Sequence, residues 1–305
     1  SGYGSIDYLL YDDNNKPFIV LEAKKEGIKP LSAKEQARKY AKNINARFVL
    51  LSNGISHYLW DIKLGNPEVI TSFPRPDSMV AKNKFEPNKD KLISEEVNED
   101  YIALTQMHNY ASNPDYQNEE TRLDFCIKNS VWFLRPYQLD AIRSIQQSVK
   151  EGDTRFLFEM ATGTGKTMIS AAIIKLFLRS GNAKRVLFLV DRLELEDQAN
   201  KAFINYLKND YQCVIYKENR KDWAKAEIVV TTVQSLMVNN KYKSLFSPTD
   251  FDLVISDEAH RSIGGNSRAV FEYFLGYKLG LTATPKDYLK KFNHKNSNDP
   301  RELER

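Results

Sequence analysis

Cysteine is scarce: Cys126 and Cys213 are the only two in 305 residues. Two thiols exclude a disulfide framework and a cysteine-built zinc centre, and a reducing cytoplasm is the expected setting. Long apolar runs are missing as well. The longest apolar candidate helix, near 169–178, is interrupted by Lys175, so nothing approaches membrane-spanning length. No secretory leader is expected, and no internal repeat or low-complexity tract is read. Neither sign of charge dominates, and a net +4 is compatible with nucleic acid without demonstrating it. What is present, 42% hydrophobic and 28% charged residues, is globular composition of a length that suits two domains. The abrupt opening at Ser1 and the polar stretch 290–305 are expected to be cut from something longer.

The most specific stretch is Glu159-Met160-Ala161-Thr162-Gly163-Thr164-Gly165-Lys166-Thr167. The apolar run Phe156–Phe158 leads into it and a helix-spaced run leaves it. Strand, glycine-rich turn and helix is the context a phosphate-binding loop needs. Backbone N–H groups from Thr162 to Gly165 can turn onto an anion at the positive helix end. Lys166 can reach the outer phosphates of ATP, and the Thr167 hydroxyl can hold Mg²⁺. One departure is Met160, which stands where the general pattern has its first glycine.

Downstream, Phe251–Ser256 reads as a buried strand ending in Asp257-Glu258-Ala259-His260. A carboxylate at such a strand end lies beside the phosphate loop. Asp257 is expected to hold Mg²⁺, and Glu258 to orient and deprotonate the attacking water. Here the chain resembles the superfamily 2 helicase and translocase motors, from Leu134 to about Pro285. The resemblance implies an adenine-reading role for Gln138 in Arg135-Pro136-Tyr137-Gln138. It implies contacts to a nucleic-acid backbone from Arg192, Thr231 and Thr232, residues that could equally satisfy local structure. It implies coupling of hydrolysis to movement through Thr282 and Thr284, facing His260. The family's second motor lobe does not follow, so ATP binding without substantial turnover is expected of this chain alone.

A second chemistry is read near the start. Glu22 and Lys24 lie two apart on a strand, hence on one face, and Asp7 on the preceding strand can come beside them across a hairpin. Two carboxylates can hold Mg²⁺, and an ammonium can orient water or offset phosphate charge. Ser32 reads as the N-cap of a following helix, with Glu35 completing a capping box. Gln36 and Tyr40 fall one turn apart on that helix. Lys25, Lys29, Lys34, Arg38, Lys39 and Lys42 could line a phosphate path or form a solvated face. The spacing resembles the PD-(D/E)xK nucleases of RecB-like type, which implies metal-binding acids at Asp7 and Glu22, the lysine at Lys24, and the Gln-x-x-x-Tyr element at Gln36 and Tyr40.

This nuclease pattern ahead of a motor resembles the restriction (R) subunit of type I restriction enzymes. Local wording agrees at Ser52-Asn53-Gly54 with His57, and at Leu59-Trp60-Asp61. The resemblance implies double-stranded DNA as substrate, ATP and Mg²⁺ as cofactors, methylation and specificity subunits as partners, and no membrane. A repair or RNA-directed helicase with a degenerate nuclease or assembly platform is the competing reading. The expected fold class is α/β, with a small mixed-sheet nuclease domain over 1–76 and a helical connector over 77–132. A RecA-like, doubly wound parallel-sheet lobe is expected over 133–288, then a polar tail over 289–305.

Overall fold

A computed structural model describes residues 6–161, 163–208, 210–216, 223–259 and 267–283. They divide into two compact units, one of residues 6–85 with 246–249, the other of 86–245 with 250–283. Both are α/β. The division falls inside the stretch read as a separate connector. Residues 86–132 pack within the larger unit, and the short segment 246–249 belongs to the smaller one, where Ser78 Oγ and Thr249 Oγ1 lie 2.6 Å apart.

The smaller unit is a five-stranded sheet: β1 Tyr8–Tyr11, β2 Pro17–Ala23, β3 Phe48–Ser52, β4 His57–Asp61 and β5 Glu68–Ile70, in that spatial order. β2 and β3 run parallel and the other pairs antiparallel. A parallel pair needs a crossover, and the helix Lys34–Asn43 supplies it. Its buried stripe is alanine, Ala37 and Ala41 with Ala33 just ahead, so the helix sits close on Val20, Val49, Leu51, Tyr58 and Trp60. The capping box expected at Ser32 does not form. A 3₁₀ turn over Pro30–Ala33 precedes the helix, and the Ser32 hydroxyl donates back to the Lys29 carbonyl at 2.8 Å. Pro30 favours that turn, which moves the helix start past Ser32.

The larger unit is a six-stranded sheet of β6 Arg155–Glu159, β7 Val186–Val190, β8 Cys213–Ile215, β9 Ile228–Thr232, β10 Leu253–Ser256 and β11 Tyr277–Thr282. Its order is β6-β11-β10-β7-β9-β8, with every pair parallel. β7, β9, β10 and β11 are buried throughout, as strands covered on both faces must be. Helices Pro136–Glu151, Lys166–Arg179 and Leu193–Leu207 carry apolar faces into the core.

Within the stretch expected as a helical connector, two short helices form, Lys89–Ser94 and Ala103–Gln106. Leu92, Val97, Tyr101 and Ile102 are all buried, a spacing one straight helix cannot serve here. The Gln146 amide catches the freed carbonyls of Leu92 and Glu95 at 2.8 and 2.9 Å.

Candidate functional sites

In the larger unit, the loop between β6 and the helix Lys166–Arg179 bends through two left-handed glycines, Gly163 (φ 80°) and Gly165 (φ 81°). Met160 has no such requirement. Its N–H donates to the Thr282 carbonyl at 2.8 Å and its side chain enters the core, which explains why a glycine is not needed there. The Thr164 carbonyl accepts from the Tyr137 hydroxyl at 2.6 Å and from Gln138 Nε2 at 3.2 Å. Tyr137 went unassigned in the sequence, because nothing in its spacing shows that its hydroxyl reaches the loop.

Gln138 is fully buried and its amide is committed to protein groups: Nε2 faces the Thr164 and Gly165 carbonyls, and Oε1 accepts from Arg135 N–H at 2.9 Å. In this arrangement it braces the loop, and pairing with adenine requires it to leave those partners. The Lys166 ammonium donates to Glu258 Oε1 at 2.9 Å. Thr167 is half-buried in the first turn of the same helix.

Asp257 follows β10; its N–H donates to the Leu189 carbonyl and its Oδ1 accepts from Glu258 N–H at 3.0 Å. Burial pushes the Asp257 carboxyl above its usual range, against the pull of Lys166. Glu258 sits at φ 53°, a left-handed conformation a glutamate rarely adopts. These groups suit a magnesium nucleotide: the glycines leave backbone room, Lys166 is poised for phosphate, and Thr167 and Asp257 offer hard oxygen donors. Thr282 is buried beside the loop. Thr162, His260 and Thr284 lie outside the described residues.

The residues expected to grip nucleic acid lie at one end of the sheet: Arg192 follows β7, and Thr231 and Thr232 end the neighbouring β9, with Val190 opposite Thr232. Arg192 is exposed at the N-cap of Leu193–Leu207, with Asp191 Oδ2 at 3.6 Å. Thr231 and Thr232 are fully buried as the chain is arranged. β9 lies between two strands, and Thr232 is used locally. Its hydroxyl caps the helix Val233–Met237, and its N–H donates to the buried Glu196 carboxylate at 2.7 Å.

In the smaller unit the sequence-predicted groups converge. Asp7 Oδ2 accepts from Ala23 N–H at 2.9 Å, which holds it across from the end of β2. Glu22 is 2% exposed; its Oε1 accepts from Lys24 Nζ at 2.8 Å, while its Oε2 is buried with no hydrogen-bond partner. The Glu22 hydrogen bond raises the Lys24 pKa against the opposing effect of burial, with further help from the charges of Glu22, Asp7 and Tyr40. Gln36 Nε2 donates to the Tyr40 hydroxyl at 3.2 Å. Of the basic residues nearby, Lys34 bonds Asn66 and Arg38 pairs with Glu35, which is local use.

An orphaned carboxylate oxygen beside a second carboxylate fits a hard divalent cation such as Mg²⁺. Among the described residues no group of three or more His, Cys, Asp or Glu side chains is assembled, so Asp7 and Glu22 are the acidic pair available.

Residues 2–74 match the family model described as Type I restriction enzyme R protein N terminus (HSDR_N). Residues 133–287, just over half of the chain, match Type III restriction enzyme, res subunit. The chain is 28% identical over 300 residues to the Type I restriction enzyme EcoAI endonuclease subunit of Escherichia coli, covering 93% of this chain and 33% of that protein. With the EcoKI endonuclease subunit of Escherichia coli (strain K12) it shares 27% identity over 335 residues, covering 92% and 28%. A solved fragment assigned as the HsdR subunit of a type I restriction enzyme from Vibrio vulnificus YJ016 is 25% identical, with 94% of this chain and 47% of that one covered and a TM-score of 0.41. The chain thus spans about a third of the length of the curated relatives it matches. An R-protein N terminus followed by a res-subunit segment means that the chain belongs to the restriction-enzyme R-subunit family, as part of an HsdR-type subunit.

Proposed function

We propose that the whole subunit cuts double-stranded DNA with Mg²⁺ after ATP-driven translocation, in a complex with methylation and specificity subunits. In this reading residues 1–76 supply the nuclease and 133–288 the first lobe of the motor. The observation that carries it is Glu22, a buried carboxylate with one oxygen on Lys24 and the other unpartnered. Burying a half-satisfied charge is unfavourable by several kcal/mol unless something uses it, roughly 2–7 for a polar group alone. A degenerate nuclease or a mere platform gives no reason to keep it.

Mg²⁺, when bound, would polarise the scissile phosphate and lower the pKa of a water. Asp7 and Glu22 would hold it. Lys24, kept cationic by Glu22, faces the charge that develops on the cleaved phosphate. Gln36 and Tyr40 would orient the substrate backbone. In the motor, the glycine loop and Lys166 bind the phosphates of ATP, Thr167 and Asp257 provide the metal-side oxygens, and Glu258 takes a proton from the attacking water. Arg192, Thr231 and Thr232 are proposed to contact the DNA backbone, the two threonines once uncovered. Gln138 is proposed to read adenine once released from the loop, and Thr282, Thr284 and His260 to couple hydrolysis to movement.

The test uses the full-length subunit assembled with its partners. Asp7→Ala, Glu22→Ala and Lys24→Ala keep ATPase and translocation and lose cutting, whereas Lys166→Ala loses nucleotide binding and translocation. DNA cut at the normal rate by the three nuclease variants would refute the reading. Residues 1–305 alone bind ATP with little turnover, and strong DNA-stimulated ATPase from them would be incompatible with a half site.

A further inference from the structure

The turn Ser52–Ser56 between β3 and β4 carries the Ser52-Asn53-Gly54 wording but no part of the chemistry above. Its Asn53 side chain makes four hydrogen bonds. Asn53 Oδ1 accepts from the Ile55 and Ser56 N–H groups at 3.1 and 2.8 Å, an arrangement that shapes the turn itself. Asn53 Nδ2 donates to the carbonyls of Glu26 and Ile28, both at 3.0 Å. Aspartate would serve the turn equally well, since turn-forming asparagine and aspartate use the same acceptor oxygen. Only the amide has two N–H groups for the distant loop. The amide is therefore explained by residues 26–28, which lie some 25 positions away in sequence.

That loop joins the strand carrying Glu22 to the helix carrying Gln36 and Tyr40. It begins at Lys24, one residue past the end of β2, and runs into the 3₁₀ turn ahead of that helix. Lys24 N–H also donates to the Ser52 carbonyl at 2.7 Å, and Ile28 N–H to the Lys25 carbonyl at 2.8 Å. Ser52 stiffens the turn from the other side: its Oγ accepts from Gly54 N–H at 3.1 Å and lies 2.8 Å from His57 Nδ1. The His57 ring packs on Phe73, and burial lowers its pKa. The turn is thus a fixed post to which the loop is tied at three backbone groups: Lys24 N–H and the carbonyls of Glu26 and Ile28.

We infer that Asn53 is a positioning residue of the DNA-cleaving site: its amide fixes the loop 24–29 and with it the placement of Lys24 relative to Glu22, Gln36 and Tyr40. The inference rests on the nuclease reading. A displacement of about 1 Å at a catalytic group can reduce rate by roughly 10²-fold, so the effect belongs in the cleavage rate.

Asn53→Asp separates the two duties, because it keeps the turn acceptor and removes both donors. In the assembled full-length subunit it lowers the cleavage rate at saturating Mg²⁺ by roughly 10²-fold, leaving ATPase and translocation at wild-type levels. It also speeds amide hydrogen exchange over 24–29 but not over 57–61. Asn53→Ser, with one short hydroxyl, gives a smaller loss. Wild-type cleavage in both variants would overturn the inference. So would parallel loss of cutting and ATPase in both, or uniformly faster exchange across the five strands, because either marks a role in folding alone. Glu22→Ala in the same assay keeps the two ideas apart: if it cuts normally, the nuclease reading fails; if it is inactive while Asn53→Asp cuts normally, only the inference on Asn53 fails.

Discussion

The Lys166 ammonium lies 2.9 Å from the Glu258 carboxylate, so the proposed phosphate-binding cation and the proposed water-activating base are bonded to each other. Nucleotide phosphates and Glu258 therefore compete for one ammonium. Glu258 is also held at φ 53°, a conformation that is unfavourable by about 1–2 kcal/mol for a residue with a Cβ. On the proposed mechanism, phosphate binding at Lys166 would break this bond to the carboxylate.

Glu258→Gln should bind ATP at least as tightly as wild type, because it removes the competing charge, and should hydrolyse it at least about 10²-fold more slowly. A fluorescent ATP analogue titrated onto residues 1–305 measures the first, and ATPase of the assembled subunit the second. Weaker binding by this variant would mean that Glu258 does not oppose the nucleotide.

Glu22→Gln should leave the smaller unit no less stable and raise its unfolding free energy by up to about 1 kcal/mol, while cutting is lost. The native carboxylate has one buried oxygen without a partner, and an amide is less unfavourable to bury. Urea titration of residues 1–305 decides the matter; a clear loss of stability would show Glu22 to be structural.

The loop glycines and Met160 should respond in opposite ways. A Cβ at Gly165 lies 2.7 Å from Gln138 Nε2 at a φ of +81°, so Gly165→Ala should weaken nucleotide binding at least tenfold, about 1.4 kcal/mol. Met160→Gly, which restores the general pattern, should leave binding no better and destabilise the larger unit by about 2–4 kcal/mol through a core cavity. Calorimetry on the two variants separates these outcomes, and tighter ATP binding by Met160→Gly would contradict the packing seen here.

Arg155 grips Glu272 with two hydrogen bonds, of 2.8 and 2.5 Å. Burial would raise the Glu272 pKa, but the Arg155 bonds and charge, with Lys278 and Arg268, hold it at about 2 against an ordinary 4.5. A depressed carboxyl stabilises the fold above its unfolded pKa and loses that contribution as pH falls through its folded value. Glu272→Gln should therefore be less stable than wild type at pH 7 by up to about 3 kcal/mol, less whatever solvent screens at the half-exposed Arg155. The gap should narrow from about pH 4.5 down towards 2. A constant gap across that range would mean that Glu272 acts through packing rather than charge.

Much of the site was legible because its residues are close in sequence and their periods are strict. Glu22, near the end of β2, and Lys24, one residue past that end, meet because side chains two apart on extended chain point the same way. Lys166 and Thr167 start a helix because two glycines precede them. Asp257 and Glu258 follow a run too apolar to be anything but a buried strand. The burial of Thr231 and Thr232 was not legible, because hydroxyls at a strand end look alike whether the strand is central or at an edge. Here β9 is covered, and a helix cap and Glu196 use Thr232.

The sequence by itself determined the α/β class, the strands and the glycine turn between β6 and its helix, because these follow from local periodicity and turn chemistry. Tertiary structure alone decided that Lys166 meets Glu258 across 92 positions and that Tyr137 and Gln138 brace the Thr164 carbonyl. It also decided that Asn53 ties down the loop after Lys24 and that Met160 belongs to the core. Each of these depends on which strands become neighbours and on how burial leaves a polar group no partner but a distant one. No window of local sequence contains that information.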